Sequence, residues 1–294
     1  MVEKNLTPAR FNEAGDILAA FWYQSSTRHF RSGGHLYAEL YNGIKMPLIG
    51  FGTFKISGHI ADEAICNAID CGYLHIDTAT RYNNEGAVGE GIKLSKINRE
   101  DLFITTKLPI ENQSYSNTIK EFLASIERLD VDYVDLYLIH APTEGSVNAW
   151  KAMEYLYTNG LARAIGISNF DIQHIEGLLD RAEVIPMVNQ IEFHPCSQQL
   201  KLKDYCDKIH IQIESYSPLM QGKILKIPEL INISEKHSRS VAQIALRWCI
   251  QQQIPAIPKT SSIERMKSNL KIFDFSLDDK DMEVISLLQS TAYL

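Results

Sequence analysis

The sequence has no long hydrophobic run, no excess of basic residues and no regular cysteine pattern. No apolar stretch approaches the roughly 20 residues of a membrane-spanning helix, so we do not expect a membrane protein. The formal net charge of −7 disfavours nucleic-acid binding, which depends on clustered lysine and arginine. The five cysteines stand at irregular spacings that fit neither a zinc motif nor a disulfide framework. We therefore expect a reducing compartment, the cytoplasm.

Linkers rich in proline, glycine or serine are also missing from most of the chain, which favours a single domain over residues 36–294. Residues 1–35 differ in character from this domain. They contain a short apolar run at 17–23, and acidic residues precede it. Such residues argue against a secretory signal or a mitochondrial presequence. We interpret 1–35 as an N-terminal extension outside the core.

Apolar, strand-like segments alternate with amphipathic, helical ones along the domain. Asn42-Gly43 predicts a β-hairpin before them, because both residues favour the positive φ of a tight turn. The predicted strands are 49–52, 73–76, 102–106, 134–139, 164–167, 187–190, 211–215 and 256–257. The predicted helices are 61–71, 84–95, 114–129, 147–159, 171–181, 198–208, 239–251, 263–270 and 278–288. Eight such units favour an α/β fold, a (β/α)8 TIM barrel with the N-terminal hairpin closing its bottom.

Polar residues at the ends of the predicted strands are the candidates for chemistry, because barrel active sites lie there. The second, third and fourth strands end at Asp77, Lys107 and His140, and Tyr82 comes soon after Asp77 in a polar segment. Taken alone, Asp77 and Tyr82 fit a helix cap and a surface ring. Four such residues placed by three independent strands indicate a shared site instead.

The four residues suit proton delivery to a carbonyl oxygen. A tyrosine with a pKa near 10 is a weak acid, and the Lys107 ammonium would lower the pKa of Tyr82. Asp77 would keep Lys107 charged, and His140 can donate a hydrogen bond to a carbonyl. The accompanying hydride requires a nicotinamide, because no side chain supplies one.

Short motifs throughout the domain resemble the aldo-keto reductase superfamily. They are residues 52–54, 75–82, 105–107, 139–140, 166–170, 189–190, 216–219 and 257–259. The resemblance implies a monomeric oxidoreductase that reduces small-molecule aldehydes or ketones to alcohols with NADPH. It implies that Tyr82 is the general acid, that Lys107 and Asp77 tune it, and that His140 orients the carbonyl.

The resemblance also implies which residues hold NADPH/NADP+. Ser168, Asn169 and Gln190 would hold the carboxamide, Tyr216 would stack on the nicotinamide, and Ser217 and Leu219 would contact the pyrophosphate. Lys259, Thr260 and Arg265 would meet the 2′-phosphate and adenine. The remaining implied cofactor contacts are Gly52, Thr53, Phe54, Ser261 and Asn269. A lysine and an arginine near one ribose would favour NADPH over NADH, because arginine can bind the extra phosphate bidentately.

Several positions depart from the family pattern. Many members carry tryptophan where this chain has Phe54, Pro109 and Ala141. Smaller side chains there would widen the pocket, so we expect an open, shallow site lined by Phe54, Tyr82, His140 and Ala141. Ser268 stands where members often have a glutamate that contacts adenine, and it is not included among the cofactor residues.

Two alternatives stay open at the level of sequence. Asp77, His140, Glu192 and His194 lie at or just after strand ends and could bind Zn²⁺ in a barrel hydrolase, although His194 precedes a proline and fits a structural turn. A nucleotide-sensing module on the same fold would keep the same residues, and turnover would distinguish it. The glycines at 86, 89 and 91 lie in a predicted helix and lack dinucleotide-fingerprint spacing.

Overall fold

The computed structural model describes residues 37–56 and 60–290, and within them the predicted barrel is confirmed. Two strands, β1 (Tyr37–Glu39) and β2 (Lys45–Pro47), pair antiparallel. Seven parallel strands come next, in sequence order. They are β3 (Phe51–Gly52), β4 (His75–Asp77), β5 (Phe103–Leu108), β6 (Leu136–Ile139), β7 (Ile165–Ser168), β8 (Val188–Glu192) and β9 (Gln212–Tyr216). The extension at 1–35 lies outside the described residues, so its boundary stays a prediction.

Ala256 closes the barrel between its first and last strands. It forms parallel bridges with Ile49 on one side and Ser215 on the other. The eighth strand predicted there is therefore reduced to one bridged residue. Pro255 and Pro258 flank it, and a proline has no backbone N–H to extend the hydrogen-bonded ladder.

Ten α-helices connect and surround the strands within the described ranges. They are α1 (Ala61–Cys71), α2 (Glu85–Ser95), α3 (Tyr115–Leu129), α4 (Ser146–Thr158), α5 (Ile172–Leu179), α6 (Leu200–Lys208), α7 (Pro228–His237), α8 (Val241–Gln251), α9 (Ile263–Leu270) and α10 (Asp279–Ser286). Helix α7 is not among the helices predicted from the sequence. Its signals are ordinary ones, a proline at the first helical position and apolar Leu230 and Ile233 on one buried face.

Two glycines in α2 allow neighbouring helices to approach closely. A Cβ on Gly89 would lie 2.5 Å from the carbonyl oxygen of Leu129 in α3. One on Gly91 would lie 2.5 Å from Cβ of Ile65 in α1. The glycine-rich segment is thus helical, as predicted, and its glycines serve helix packing.

The β1–β2 hairpin covers the amino-terminal ends of the strands. Leu40 and Met46 are buried in an apolar cluster with Phe103, near the start of β5. The hydroxyl of Tyr41 also donates to the carbonyl of Ile185, at 2.6 Å, just before β8. The hairpin therefore closes the bottom of the barrel, as predicted, and the carboxyl ends of the strands lie at the opposite end.

The hairpin turn differs from the expectation in one detail. Only Gly43 has a positive φ, at 84°. Asn42 acts through its side chain instead, accepting from the N–H of Ile44 at 3.2 Å and donating to the carbonyl of Arg163 at 3.0 Å. A side chain that holds its own turn removes the need for a second left-handed residue.

The described helices are all too short or too polar to cross a lipid bilayer. The largest apolar cluster lies between the sheet and its helices. This packing holds the strands in register, so the side chains at their carboxyl ends have fixed positions.

Candidate active site

Asp77 and Lys107 form a buried ion pair at the ends of β4 and β5. Lys107 Nζ donates to both carboxylate oxygens of Asp77 at 2.7 Å and to the carbonyl of Thr78 at 2.9 Å. Burial is the largest single effect and lowers the pKa of Lys107, but Asp77, Tyr82 and Glu214 together outweigh it, so the pKa is raised. The side chain is therefore an ammonium at neutral pH. Asp77 is not a helix cap.

Tyr82 lies in a single 3₁₀ turn after β4, between two other rings. Its ring centroid is 5.1 Å from that of Phe54 and 5.8 Å from that of His140. Lys107 Nζ lies 5.2 Å from the same centroid. Burial raises the pKa of Tyr82 and the Lys107 charge lowers it, with a net increase above 10. Lys107 thus acts in the predicted direction, but burial outweighs it, so Tyr82 is a phenol at neutral pH.

His140 comes directly after β6 and is half-buried. Burial, then the positive charges of Lys107 and Arg81, lower the pKa of His140 to about 3. The ring is therefore a neutral imidazole, with one donor and one acceptor nitrogen. Its Nδ1 is buried and has no hydrogen-bond partner among the described residues.

Gln190 in β8 connects the ion pair to the neighbouring strands. Its Nε2 donates to Asp77 Oδ2 at 2.8 Å and to Glu214 Oε2 at 2.7 Å. Its backbone carbonyl accepts from the Ser168 hydroxyl at 2.8 Å. Glu214 lies in the middle of β9 and is not among the site residues predicted from the sequence. The available signal was a charged residue inside a predicted strand that is otherwise buried.

Asn169 joins His140 to Tyr216. Its Nδ2 donates to the carbonyl of His140 at 3.0 Å, and its Oδ1 accepts from the Tyr216 hydroxyl at 2.8 Å. Asn169 has a φ of 62°, a left-handed conformation that asparagine tolerates better than most residues. Four predicted cofactor residues, Ser168, Asn169, Gln190 and Tyr216, therefore lie together beside the predicted catalytic residues.

Asn84 is a second polar residue that was not predicted from the sequence. Its Nδ2 donates to the carbonyls of Thr53, at 3.0 Å, and Ile56, at 2.9 Å, and its Oδ1 accepts from the Thr78 hydroxyl at 2.7 Å. Asn84 thus fixes the segment after β3 against the segment after β4. It precedes α2, where an asparagine is usually a helix cap, but it makes no cap bond.

The segment with Lys259, Thr260 and Ser261 lies beside the end of β3. The Gly52 N–H donates to the carbonyl of Pro258 at 3.1 Å. Lys259 and Ser261 are exposed, whereas the buried Thr260 accepts from a later backbone N–H through its hydroxyl.

The other predicted contacts lie in α9 and in the segment after β9. Arg265 and Asn269 belong to α9, where Arg265 is exposed and Asn269 is buried. Ser217 and Leu219 come after β9, and Ser217 has a φ of 49°. Among the described residues, no hydrogen bond connects these side chains to Asp77, Tyr82, Lys107 or His140.

Ala141 borders the site through the chain after His140. Its carbonyl accepts from Gln113 Nε2 at 2.7 Å, which fixes the backbone there. Phe54, whose ring contacts that of Tyr82, is 51% exposed.

The residues of the alternative zinc site are not brought together. Asp77 is engaged by Lys107 and Gln190, whereas His194 lies 3.5 Å from Glu192. In the described ranges, no group of three or more histidine, cysteine, aspartate or glutamate side chains could hold a metal ion.

Comparisons with known proteins identify the family of the chain. The model of the Aldo/keto reductase family matches residues 48–289. Glyoxal reductase of Bacillus subtilis (strain 168) is 49% identical over 252 residues, covering 85% of this chain and 91% of that protein. MGS-M4, an aldo-keto reductase from a Medee basin deep-sea metagenome library, has a crystal structure that is 43% identical, with a TM-score of 0.83 over 84% of this chain and 93% of that one.

A variant of Gox0644 solved in complex with NADPH is also similar. It is 36% identical, with a TM-score of 0.83 over 86% of this chain and 93% of that one. The family model spans all the strands from β3 to β9 and the side chains at their carboxyl ends. The chain belongs to the aldo/keto reductase family of oxidoreductases.

Proposed function

We propose that this aldo/keto reductase uses NADPH to reduce aldehydes or ketones to alcohols, with Tyr82 as the proton donor. The observation that carries the proposal is the meeting of a neutral phenol, Tyr82, and a neutral imidazole, His140, above the Asp77–Lys107 ion pair. A carbonyl oxygen that gains negative charge requires such donors. The NADPH complex of the Gox0644 variant supports the choice of cofactor.

The side chains around the site fit NADPH. The Thr53 hydroxyl oxygen is buried and has no partner among the described residues. Both amide N–H groups of Gln190 are engaged, which leaves its Oε1 to accept from a carboxamide. Lys259 and Arg265 are exposed cations suited to a phosphate. When bound, NADPH supplies the hydride for the carbonyl carbon.

Four side chains have the remaining roles in the reaction. His140 donates an N–H to the substrate carbonyl and orients it. Tyr82 gives its hydroxyl proton to the same oxygen as negative charge develops there. Lys107 stabilises the resulting phenolate by its charge, and Asp77 holds Lys107 in place and charged.

We propose an open site that accepts both small and bulky carbonyl compounds. The support is the exposure of Phe54 beside Tyr82, together with the small side chain of Ala141, the residue that follows His140. Since the Bacillus subtilis relative is a glyoxal reductase, small dicarbonyls belong among the test substrates.

A screen of NADPH oxidation tests the proposal. Aliphatic aldehydes, aromatic aldehydes, ketones and glyoxal are compared, with the alcohol product identified for each. We expect turnover, with kcat/KM for bulky and small aldehydes within about tenfold. NADPH binding without turnover of any carbonyl would favour the nucleotide-sensing alternative. A preference above about a hundredfold for one small aldehyde would contradict the open site alone.

A further inference from the structure

Glu214 is a carboxyl group in β9 that lies beside the Asp77–Lys107 pair and is 0% exposed. Gln190 Nε2 donates to Glu214 Oε2 at 2.7 Å and to Asp77 Oδ2 at 2.8 Å. Two carboxyl groups therefore flank one amide nitrogen in the barrel interior. A buried charge there is costly unless an opposite charge neutralises it.

Within the described part of the chain, Glu214 has no cation of its own. Lys107 Nζ has three acceptors, the two oxygens of Asp77 and the carbonyl of Thr78, which matches the three N–H groups of an ammonium. His75 Nε2 lies 3.7 Å from Glu214 Oε1, but burial and Lys107 lower the pKa of His75 to about 3. That imidazole is neutral, and Glu214 Oε1 has no hydrogen-bond partner among the described residues.

A carboxyl group in these surroundings keeps its proton. Burial, followed by repulsion from Asp77, raises the pKa of Glu214 to about 8, although Gln190 and Lys107 oppose the shift. Near neutral pH the interior therefore holds one ammonium, one carboxylate and one uncharged carboxylic acid.

We propose that Glu214 is a positioning residue of this reductase. In its protonated, uncharged form Glu214 holds Gln190, and when it ionises it weakens Tyr82 as a proton donor. The proposal rests on the proposed function, because it takes Tyr82 as the source of the proton. While Glu214 is protonated, Lys107 balances Asp77 and is the nearest charge available to stabilise a phenolate. An ionised Glu214 adds a second negative charge, which disfavours phenolate formation.

The groups facing Glu214 come from three strands. β4 contributes Asp77 and His75, β5 contributes Lys107, and β8 contributes the uncharged Gln190. Asp77 is paired and His75 is neutral over the relevant range, so Glu214 is the group in this interior whose charge changes near pH 8. A negative charge on Glu214 acts on Tyr82 by raising its pKa.

The first test is the pH dependence of NADPH-dependent carbonyl reduction in the wild type and Glu214→Gln. Glutamine matches the protonated acid, with one accepting oxygen for Gln190 and one donor, but it cannot ionise. We expect wild-type kcat/KM to fall at least about threefold as the pH rises through 8, and the variant to lack this fall. The readout is the shape of each profile, so each is normalised to its own value well below pH 8.

A matched control separates charge loss in general from charge loss at this place. Glu90→Gln makes the same change at an exposed position on α2 and should keep the wild-type fall. An NADPH titration of Glu90→Gln should give the wild-type Kd. The proposal is overturned if the wild type shows no fall near pH 8, or if Glu214→Gln shows the same fall.

The second test is spectroscopic. It uses the wild-type protein alone and does not depend on enzymatic activity. Infrared spectra of the wild type should contain the carbonyl stretch of a protonated carboxylic acid between about pH 6 and pH 7, where ordinary carboxyl groups are ionised, and should lose it above pH 8. Absence of this band below pH 8 overturns the proposal whatever the kinetics show. A protein that shows the band but reduces no carbonyl instead contradicts the proposed function, so the two failures are distinguishable.

Discussion

Lys107 Nζ lies 2.7 Å from both carboxylate oxygens of Asp77 in the barrel interior, where the exposed fractions of the two residues are 1% and 2%. The pair is therefore shielded from solvent and salt, unlike a surface ion pair. Its geometry holds the ammonium beneath the Tyr82 ring. Removing either partner leaves an uncompensated charge.

Lys107→Met should destabilise the protein, because it leaves the buried Asp77 carboxylate without its cation. We expect the free energy of unfolding to fall by about 3–5 kcal/mol in denaturant titrations. The double variant Asp77→Asn/Lys107→Met should recover part of the loss, since neither side chain is charged. Wild-type stability of the single variant would mean that Asp77 is not ionised in the fold.

Reduction should be insensitive to histidine protonation at mildly acidic pH. Because the pKa of His140 is about 3, its ring stays neutral there, whereas an ordinary histidine would titrate near 6.5. We expect kcat/KM to vary by less than about twofold between roughly pH 5 and pH 7. His140→Asn should lower kcat/KM while retaining NADPH affinity. An inflection near 6.5 in the wild type that disappears in this variant would contradict a neutral His140.

The stability of the wild type should decrease with rising pH on account of Glu214. The pKa of this carboxyl is about 8 in the folded protein and about 4.5 in the unfolded chain. Between these values the folded protein binds the extra proton, so a contribution that is fully present below 4.5 is lost as the pH rises through 8. The loss is on the order of 3–5 kcal/mol.

Thermal unfolding of the wild type and Glu214→Gln at several pH values measures this contribution. Since glutamine does not titrate, the Tm of the variant minus the Tm of the wild type should increase as the pH rises from about 5 to 8. A constant difference between the two Tm values over this range would show that Glu214 is ionised throughout.

Lys259→Ala combined with Arg265→Ala should weaken NADPH much more than NADH. Both side chains are exposed, and the two cofactors differ by one phosphate on the ribose. Steady-state kinetics with each cofactor give the two KM values, and we expect the KM for NADPH to rise at least about tenfold more. An equal rise for both would contradict the assignment of these residues to the phosphate.

The sequence predicts Asp77, Lys107 and His140 as one site because each directly ends or succeeds a strand of a regular barrel. Local pattern suffices there, since the fold brings the carboxyl ends of all strands to one face. Tyr82 is predictable for the same reason, as it lies within one turn of the end of β4. The cofactor assignments stay predictions, because they depend on a bound ligand.

The sequence does not predict Glu214 or Asn84 as parts of the site. Their partners lie on other elements, Gln190 for the first and the carbonyls of residues 53 and 56 for the second. Neighbours in sequence do not reveal such pairings. The eighth strand is also shorter than the apolar residues 256–257 predict, because Pro255 and Pro258 beside them cannot donate to the ladder.

Tyr82→Phe tests the central claim, that the Tyr82 hydroxyl donates the proton, most directly. It removes this hydroxyl but keeps the ring between Phe54 and His140. NADPH-dependent carbonyl reduction and the Kd for NADPH are measured on the same samples. We expect kcat to fall by at least about a hundredfold while the Kd stays within about twofold of wild type. Reduction at the wild-type rate would show that another group supplies the proton and would contradict the proposed mechanism.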